Sequence, residues 1–240
     1  MAIFDRKPTD WSGLQILVGQ LFAELGCGVE IGKKLPLVRG AKEIDVWVKD
    51  SETSPASEYL CECKYWSRPV TQETVHSFRT IVADYGAHRG IIVSKSGFQS
   101  GAIEASKNTT IDLMTFESLQ DTFYKRWRRS MPKRYMAYAD ALFPYWDPSG
   151  GRRPPLNWND EDRRNLQLLV EAYHPFCLIG PWMENTNFAV RLPMALPVLN
   201  DRLEVVGETK IETYRQFYDF MEGNKEDALC RYKALFRENA

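Results

Sequence analysis

Hydrophobic residues near the start of the chain recur with the spacing of an amphipathic helix. The apolar positions are Trp11, Leu14, Leu17, Val18, Leu21, Phe22 and Leu25. Their period of about 3.6 residues places them on one face of a helix. Asp10, just before them, is a capping residue type, and Gly26, just after them, is typical of a helix end. The pattern therefore predicts a first helix between Asp10 and Gly26.

Alternation of polar and apolar positions then changes the prediction to strands. Three strand-like segments come first, and the turn-rich loop 50–57 between the last two is typical of a hairpin. A second amphipathic helix leads into the apolar run Gly90–Ser94, which is typical of a buried parallel strand entered by a right-handed crossover. The predicted elements cover 29–37, 43–49, 58–66, 71–85, 90–94, 102–106 and 111–115. The first half is thus an α/β unit.

The second half of the chain lacks this regular order of strands and helices. Helical patterns cover 160–173, 212–221 and 225–238. Prolines interrupt the short apolar segments between them, and residues 147–155 are rich enough in chain breakers to be a linker candidate. We therefore predict two domains, 1–120 and 121–240, of which the second is a mainly helical module without an assigned fold.

Charge is balanced over the whole chain, but one segment is strongly basic. Lys and Arg number 31 against 32 acidic residues, so the net charge predicts no polyanion partner. Residues 125–134 nevertheless contain basic residues and no acid, which makes them a candidate nucleic-acid interface. The candidate contacts are Lys125, Arg126, Arg128 and Arg129. An equally weighted alternative is a solvated helix end, where cations complement the helix dipole.

Other features of the composition exclude several classes of protein. No stretch of 18 apolar residues occurs, so a membrane span is not expected. The N-terminal segment contains no apolar signal-peptide core, which points to the cytoplasm. None of the five cysteines forms a C-x-x-C pair, so we expect reduced thiols rather than a zinc ribbon or a redox motif.

Asp45, Glu62 and Lys64 stand out because they interrupt strands that are otherwise rich in apolar residues. Alternation along the second predicted strand separates Asp45 from Ile44 and Val46. Along the third strand, it puts Glu62 and Lys64 on one face and the two neighbouring cysteines on the other. If the two strands are hairpin neighbours, Asp45 and Glu62 converge at one site.

These three side chains match what hydrolysis of a phosphodiester needs. Two carboxylates with open positions suit Mg²⁺, for which Mn²⁺ is an expected substitute. Such an ion lowers the pKa of a bound water and neutralises the phosphate under attack. A neighbouring lysine orients the attacking water or stabilises the developing negative charge. The plain alternative is a cross-strand salt bridge in which Lys64 only neutralises the acids.

The surrounding motifs extend this pattern along the chain. The segment EID at 43–45 is followed by CECKY at 61–65, by Val70, by a helix with Phe78, and by GIIVSKSGF at 90–98. Over about residues 10–120, this order resembles the Mrr-like restriction endonuclease domain, a branch of the PD-(D/E)xK nuclease superfamily. The resemblance implies a restriction-endonuclease-like mixed β-sheet flanked by helices, and a metal-dependent DNA endonuclease activity.

The resemblance also implies which residues act. Asp45, Glu62 and Lys64 would be catalytic. The metal would be held by Asp45, Glu62 and the backbone carbonyl of Cys63. Gln15 stands where the family often carries a glutamate, and its amide can still hydrogen-bond a metal-bound water.

Three further acidic or amide side chains lie near these positions in the sequence. Glu24, on the helix of Gln15, is interpreted as a surface residue. Glu43 lies on the predicted face of Asp45 and is either a further ligand or, as we favour, a solvated edge charge. Gln72 opens the helix after the ExK strand and is a candidate for positioning the substrate.

The same resemblance implies DNA as the partner and a role in prokaryotic restriction or anti-phage defence. A protein partner is also open, because such a chain suits the effector subunit of a larger complex or a homo-oligomer. One alternative is a catalytically silent nucleic-acid-binding or assembly subunit with the same fold, which the retained Asp45, Glu62 and Lys64 disfavour. Another is an RNA-directed nuclease, which nothing in the sequence decides against.

Overall fold

The computed structural model describes residues 2–38, 40–147, 151–179 and 190–238. The chain divides into two compact units, Met1–Ser130 and Met131–Ala240. This division lies beyond the boundary that the sequence predicts at residue 120. The reason is local, because the hydroxyl of Ser130 still donates to the carbonyl of Leu25 at 3.3 Å.

Unit one is an α/β unit around a five-stranded mixed sheet. Its strands are β1 (Gly28–Leu37), β2 (Gly40–Asp50), β3 (Ser57–Lys64), β4 (Arg89–Ser94) and β5 (Ile111–Thr115), and they lie in this order across the sheet. Its helices are α1 (Trp11–Glu24), α2 (Gln72–Tyr85), α3 (Ser100–Ser106) and the first part of α4 (Phe116–Trp146). The first three strands are antiparallel, whereas β4 and β5 run parallel to β3. This confirms the predicted mixed sheet flanked by helices.

Helix α1 covers one face of the sheet. Its start follows from Asp10, whose Oδ1 accepts the amide of Gly13 at 2.6 Å and so satisfies a donor that the helix leaves unpaired. The chain leaves the helix at Gly26, whose φ of 88° is accessible to glycine at little cost. The apolar stripe of α1 packs against β1, β2 and β3, and the ring of Phe22 lies 6.4 Å from that of Tyr59.

Helix α2 covers the other face and lies very close to β4. A Cβ atom at Gly90 would come within 2.6 Å of Val82, 2.7 Å of Ile111 and 2.8 Å of Phe78. Only glycine therefore lets the helix approach the strand this closely. The central strands are thus buried on both faces, which explains why β4 reads as a continuous apolar run rather than an alternating one.

The regular alternation predicted for β2 is locally broken. Ile44 belongs to the core cluster that contains Trp47 and Leu60, although period two would place it with Val46 instead. Gly32, next to the β1 residue that pairs with Ile44, has a φ of 67°. A left-handed glycine inside a strand is typical of such an irregularity, and here it lies beside Asp45.

Unit two combines helices with a small hairpin. It contains the second part of α4, then α5 (Asp160–Ala172), α6 (His174–Cys177), β6 (Met194–Leu199), β7 (Val205–Ile211) and α7 (Tyr214–Leu235). Strands β6 and β7 form an antiparallel pair. Capping boxes start α5 at Asn159 and α7 at Thr213. Aromatic side chains fill the interior, and the rings of Tyr135 and Tyr218 stack at 5.9 Å.

Three elements, α7, α4 and the β6–β7 hairpin, differ from the sequence prediction. The helices predicted at 212–221 and 225–238 are one helix, α7, because Gly223 continues the helix instead of ending it. The long helix α4 and the hairpin were not predicted at all. Pro132 and Pro144 lie inside α4, and Pro197 lies inside β6, so residues that usually end an element occur within it.

Candidate active site

The site begins where the pairing of β2 and β3 ends. The last paired residues are Val46 and Cys61, and the same register continued by one residue sets Asp45 opposite Glu62. Side chains opposite one another in antiparallel strands have Cβ atoms about 5 Å apart. The register, continued beyond its last pair, is compatible with the predicted convergence of the two carboxylates, which stays a prediction.

Strand β3 continues past this point without a backbone partner on the β2 side. The amide and carbonyl of Cys63 point to that side, since the carbonyl of Lys64 accepts the amide of Lys95 on the other. Oδ2 of Asp45 accepts the Cys63 amide at 2.6 Å, and the indole Nε1 of Trp11 donates to the Cys63 carbonyl at 3.2 Å. Side chains thus replace the missing strand.

Lys64 and Glu62 form a close ion pair. Nζ of Lys64 lies 2.5 Å from Oε1 of Glu62, and the exposed fractions of the two side chains are 16% and 15%. The ammonium also lies 5.0 Å from the centre of the Trp66 ring. This salt bridge lies within β3 and not across two strands, so it differs from the plain alternative, although Lys64 still neutralises one of the acids.

The loops after β3 and β4 are joined at the carboxyl ends of these parallel strands. Val70 donates its amide to Gly97 and accepts that of Gln99, both at 3.0 Å. The hydroxyl of Ser96 donates to the carbonyl of Trp66 at 2.6 Å. Ligands of α/β proteins bind at this end of parallel strands, so the joined loops form one side of the candidate site.

Cations and aromatic rings line these loops. Arg68 lies 6.0 Å from the Trp66 ring centre, and Nζ of Lys95 lies 4.1 Å from the Tyr65 ring centre. Trp66 itself is 37% exposed. Such pairs of cation and ring are common on nucleic-acid-binding surfaces.

The donor set fits a hard cation. Asp45 and Glu62 supply carboxylate oxygens and Cys63 supplies a carbonyl oxygen, which are the ligand types of Mg²⁺ and Mn²⁺. Among the described residues, no group of three or more His, Cys, Asp or Glu side chains is arranged to hold a metal. The fit therefore rests on two carboxylates, with waters in the remaining positions, as Mg²⁺ prefers.

The two cysteines of β3 do not contribute to that donor set through their thiols. Cys61 and Cys63 are buried, and burial raises the pKa of both thiols above the usual value. A raised pKa disfavours the thiolate, which is the form of cysteine that binds metals. Their burial agrees with the alternation of β3, which separates them from the half-buried Glu62 and Lys64.

The three predicted supporting residues are not hydrogen-bonded to the predicted catalytic side chains in the described part of the chain. Within the described ranges, neither Gln15, Glu43 nor Gln72 forms a hydrogen bond with the three predicted catalytic side chains. Gln15 is buried on α1, and Glu43 is exposed. Gln72 lies against α3, where a Cβ at Gly101 would be 3.0 Å from its Oε1. Their supporting roles stay predictions.

The basic segment at 125–134 does not form one exposed face. The guanidinium of Arg126 binds Asp50 through both nitrogens, contacts Glu52 at 3.3 Å and accordingly holds the pKa of Asp50 below its usual value. Burial also raises the pKa of the neighbouring Cys27 thiol to about 11. Arg126 is therefore engaged within unit one, which corrects its assignment as a free phosphate contact. Lys125 and Arg129 are exposed and Arg128 is half-buried.

A second residue of the basic segment, Trp127, explains why the prediction for Glu24 was wrong. Glu24 is buried, not a surface residue, and its Oε2 accepts the indole of Trp127 at 2.7 Å. Its Oε1 accepts the side-chain amide of Gln20 at 2.8 Å. A charged residue on the fourth turn of an amphipathic helix gives no sign of this, because its partner lies about a hundred residues away.

Residues 7–123 match the model of the Mrr_cat family, which is described as restriction endonuclease. The fold and the match together define unit one as a domain of the restriction endonuclease class. The match covers the part of the chain whose motifs resemble this family. No curated protein matches the chain.

Three solved structures are similar to the chain at low sequence identity. A protein of unknown function, AF1548, is 15% identical with a TM-score of 0.40, and the match covers 73% of this chain and 92% of that one. The DNA modification-dependent restriction endonuclease AspBHI is 14% identical with a TM-score of 0.37, over 47% of this chain and 30% of its own. The restriction endonuclease MspJI, in complex with a 27-mer oligonucleotide, is 18% identical with a TM-score of 0.31, over 49% and 27%. The chain thus spans less than a third of the two restriction enzymes.

No helix in the described part of the chain is long and apolar enough to cross a membrane.

Proposed function

We propose that the protein is a divalent-metal-dependent endonuclease that hydrolyses phosphodiester bonds of DNA. The observation that carries this proposal is the hydrogen bond from the Cys63 amide to Oδ2 of Asp45, which brings Asp45 to the part of β3 that carries Glu62 and Lys64. A domain of the restriction endonuclease class surrounds this cluster. The acids, the lysine and the family therefore point to one chemistry.

The residues of the chain divide the work of the reaction. Asp45, Glu62 and the carbonyl of Cys63 would hold Mg²⁺ or Mn²⁺, which supplies an acidified water and neutralises phosphate charge. The Cys63 amide fixes Oδ2 of Asp45, and no described hydrogen bond occupies Oδ1. Lys64 would orient the attacking water and stabilise the charge that develops on the phosphate.

DNA would approach along the joined loops at the carboxyl ends of β3 and β4. Arg68 and Lys95 supply cations for the phosphates there, and Trp66 supplies an exposed ring. Lys125, Arg128 and Arg129 are proposed as further phosphate contacts. Gln15, Glu43 and Gln72 remain candidates for supporting the reaction.

The wider role follows from the family and is proposed with it. Residues 1–120 would form the nuclease domain, and residues 121–240 would grip substrate or bind a partner. We assign the activity to prokaryotic restriction or anti-phage defence in the cytoplasm. The chain would act there alone, as a homo-oligomer, or as the effector subunit of a complex.

A second function is favoured by one specific observation. The ion pair of Lys64 and Glu62 satisfies both groups without a metal, as expected for a catalytically silent subunit that only binds nucleic acid or assembles with partners. Metal binding distinguishes the two functions, since an active site must hold a cation in competition with Lys64. The RNA-directed alternative is tested by offering the protein DNA and RNA as separate substrates.

The test is cleavage of supercoiled plasmid and of a matched RNA by the full chain with Mg²⁺, Mn²⁺ or a chelator. We expect metal-dependent nicking of DNA that is lost in Asp45→Ala and Glu62→Ala, with circular dichroism unchanged. Loss of a carboxylate removes several kcal/mol of transition-state stabilisation, or about 10³-fold in rate. Nicking by either variant at the wild-type rate contradicts the proposed site. Cleavage of RNA but not of DNA would show that the substrate is RNA.

A further inference from the structure

Trp11 is the first residue of α1, and it is 50% exposed. Its indole nitrogen nevertheless reaches the main-chain carbonyl of Cys63, more than fifty positions along the chain, at 3.2 Å. Ile16 on the same helix is equally exposed at 50%. Burial of the ring therefore does not distinguish Trp11 from an ordinary surface residue of α1, but its long-range hydrogen bond does.

The carbonyl that Trp11 contacts lies between Glu62 and Lys64. It faces the side of β3 on which Asp45 holds the Cys63 amide, so one peptide residue is contacted by an acid and by an indole. A carbonyl oxygen has two lone pairs, and an indole is a donor only. Trp11 thus occupies part of the main-chain oxygen of the residue between Glu62 and Lys64, whose amide Asp45 holds.

We propose that Trp11 is a positioning residue of the metal site that acts through the Cys63 carbonyl. The indole N–H and a bound cation both draw electron density from that oxygen and both need space beside it, so they compete. A cation that takes the carbonyl must weaken or displace the indole. The hydrogen bond from Trp11 therefore lowers the affinity of the site for the metal, so a higher metal concentration is needed to fill the site. This inference rests on the proposed function.

The start of α1 allows this displacement. Trp11 precedes the buried stripe of the helix, and the backbone there is fixed by the cap of Asp10 on Gly13 rather than by the indole. The side chain can move to solvent without disturbing Leu14, the first fully buried apolar residue of the helix. Loss of the hydrogen bond therefore leaves the fold of unit one intact.

Trp11→Phe keeps a ring at this position and removes the donor. We expect this variant of the full chain to bind Mn²⁺ about fivefold more tightly than wild type in calorimetry, which is about 1 kcal/mol at 1.36 kcal/mol per tenfold. The matched control Ile16→Ala changes an equally exposed residue of α1 and should bind as wild type does. Asp45→Asn should not bind Mn²⁺.

The outcomes separate this inference from the function on which it rests. Equal or weaker Mn²⁺ binding by Trp11→Phe, with clear binding by wild type, overturns the role of Trp11 and leaves the metal site standing. Absence of Mn²⁺ binding in both proteins overturns the metal site and the inference together.

A second measurement follows the indole of Trp11 in the wild-type protein, and either of two variants serves for its assignment. In protein labelled with 5-fluorotryptophan, the fluorine resonance of Trp11 is identified by its absence in Trp11→Phe or Trp11→Leu. We expect Mg²⁺ to shift this resonance in wild type, because the indole loses its acceptor. A Trp11 resonance that stays unchanged while Mg²⁺ binds contradicts the competition.

Discussion

Strand β2 carries two aspartates, Asp45 and Asp50, whose surroundings differ sharply. Asp50 is 1% exposed, and both of its oxygens bind the guanidinium of Arg126. The Glu52 amide and the Tyr59 hydroxyl also contact it, at 3.1 and 3.5 Å. Asp45 is half-buried and accepts one hydrogen bond among the described residues, from an amide.

The two aspartates show that one strand can hold the same side chain in a structural ion pair and in a candidate metal site. A carboxylate whose oxygens are filled by a cation and by donors contributes to stability and has nothing left to bind. A carboxylate held by one oxygen keeps the other for chemistry. The number of partners, together with the deeper burial of Asp50, separates the two residues.

The largest effect is expected from removing the charge of each aspartate in turn. Asp50→Asn should lower the free energy of unfolding by about 3 kcal/mol, because Arg126 then loses the closer of its two countercharges in a largely buried place. Asp45→Asn should leave stability unchanged or raise it, since removal of one of two neighbouring carboxylates relieves repulsion. Urea unfolding followed by circular dichroism measures both. A larger loss of stability for Asp45→Asn would contradict the contrast between the two residues.

Lys64→Ala tests whether the lysine beside the proposed metal ligands acts in the reaction. We expect nicking to slow by about 10²-fold, because stabilisation of developing charge is lost. Affinity for Mn²⁺ should hold or increase, since Glu62 is freed from its ion pair. Calorimetry and plasmid nicking separate the two effects. Loss of the metal and of the fold together would make Lys64 a structural counter-ion.

A pH titration of stability should sense Asp50. The hydrogen bond from Arg126 lowers the pKa of Asp50 in the folded protein, so its contribution is present above its unfolded pKa of about 4. That contribution is lost as the pH falls through the folded pKa. We expect the unfolding free energy of wild type to fall more steeply below about pH 4 than that of Asp50→Asn. Parallel curves for the two proteins would contradict a paired Asp50.

The smallest effect is expected at the start of the basic segment. Lys125→Gln with Arg129→Gln should weaken DNA binding and reduce the salt dependence by about 0.9 units of slope for each phosphate that the variant no longer neutralises. Arg126 is left in place, because its removal would test folding instead. Lys107→Gln with Lys210→Gln is a control of equal charge. Equal slopes for the two double variants would place the DNA-binding cations elsewhere.

Much of unit one could be predicted because its signals are local. Period-two alternation and the chain order of the elements predict that β2 and β3 are antiparallel neighbours, which the register confirms as far as Val46 and Cys61. The convergence of Asp45 and Glu62 beyond that pair stays a prediction. Alternation does not predict where pairing stops. The side-chain contacts to Cys63 were therefore not predicted, nor was the hydrogen bond from Trp11.

Distant partners explain the errors. Arg126 and Trp127 read as part of a basic nucleic-acid surface, but Asp50 and Glu24 bind them from other elements. In unit two, the prolines of α4 broke a helical pattern that the aromatic interior maintains, so no fold could be assigned there. Residues whose role depends on contacts far along the chain carry no periodic signal.

The joined loops after β3 and β4 have a consequence for the entropy of binding. Val70 is fixed to Gly97 and Gln99 by two backbone hydrogen bonds, and Ser96 is fixed to Trp66. The amides of Val70 and Gln99 should therefore exchange slowly with deuterium in the free protein. A surface that is ordered before its ligand arrives loses little conformational freedom on association, so more of the contact energy is retained as affinity.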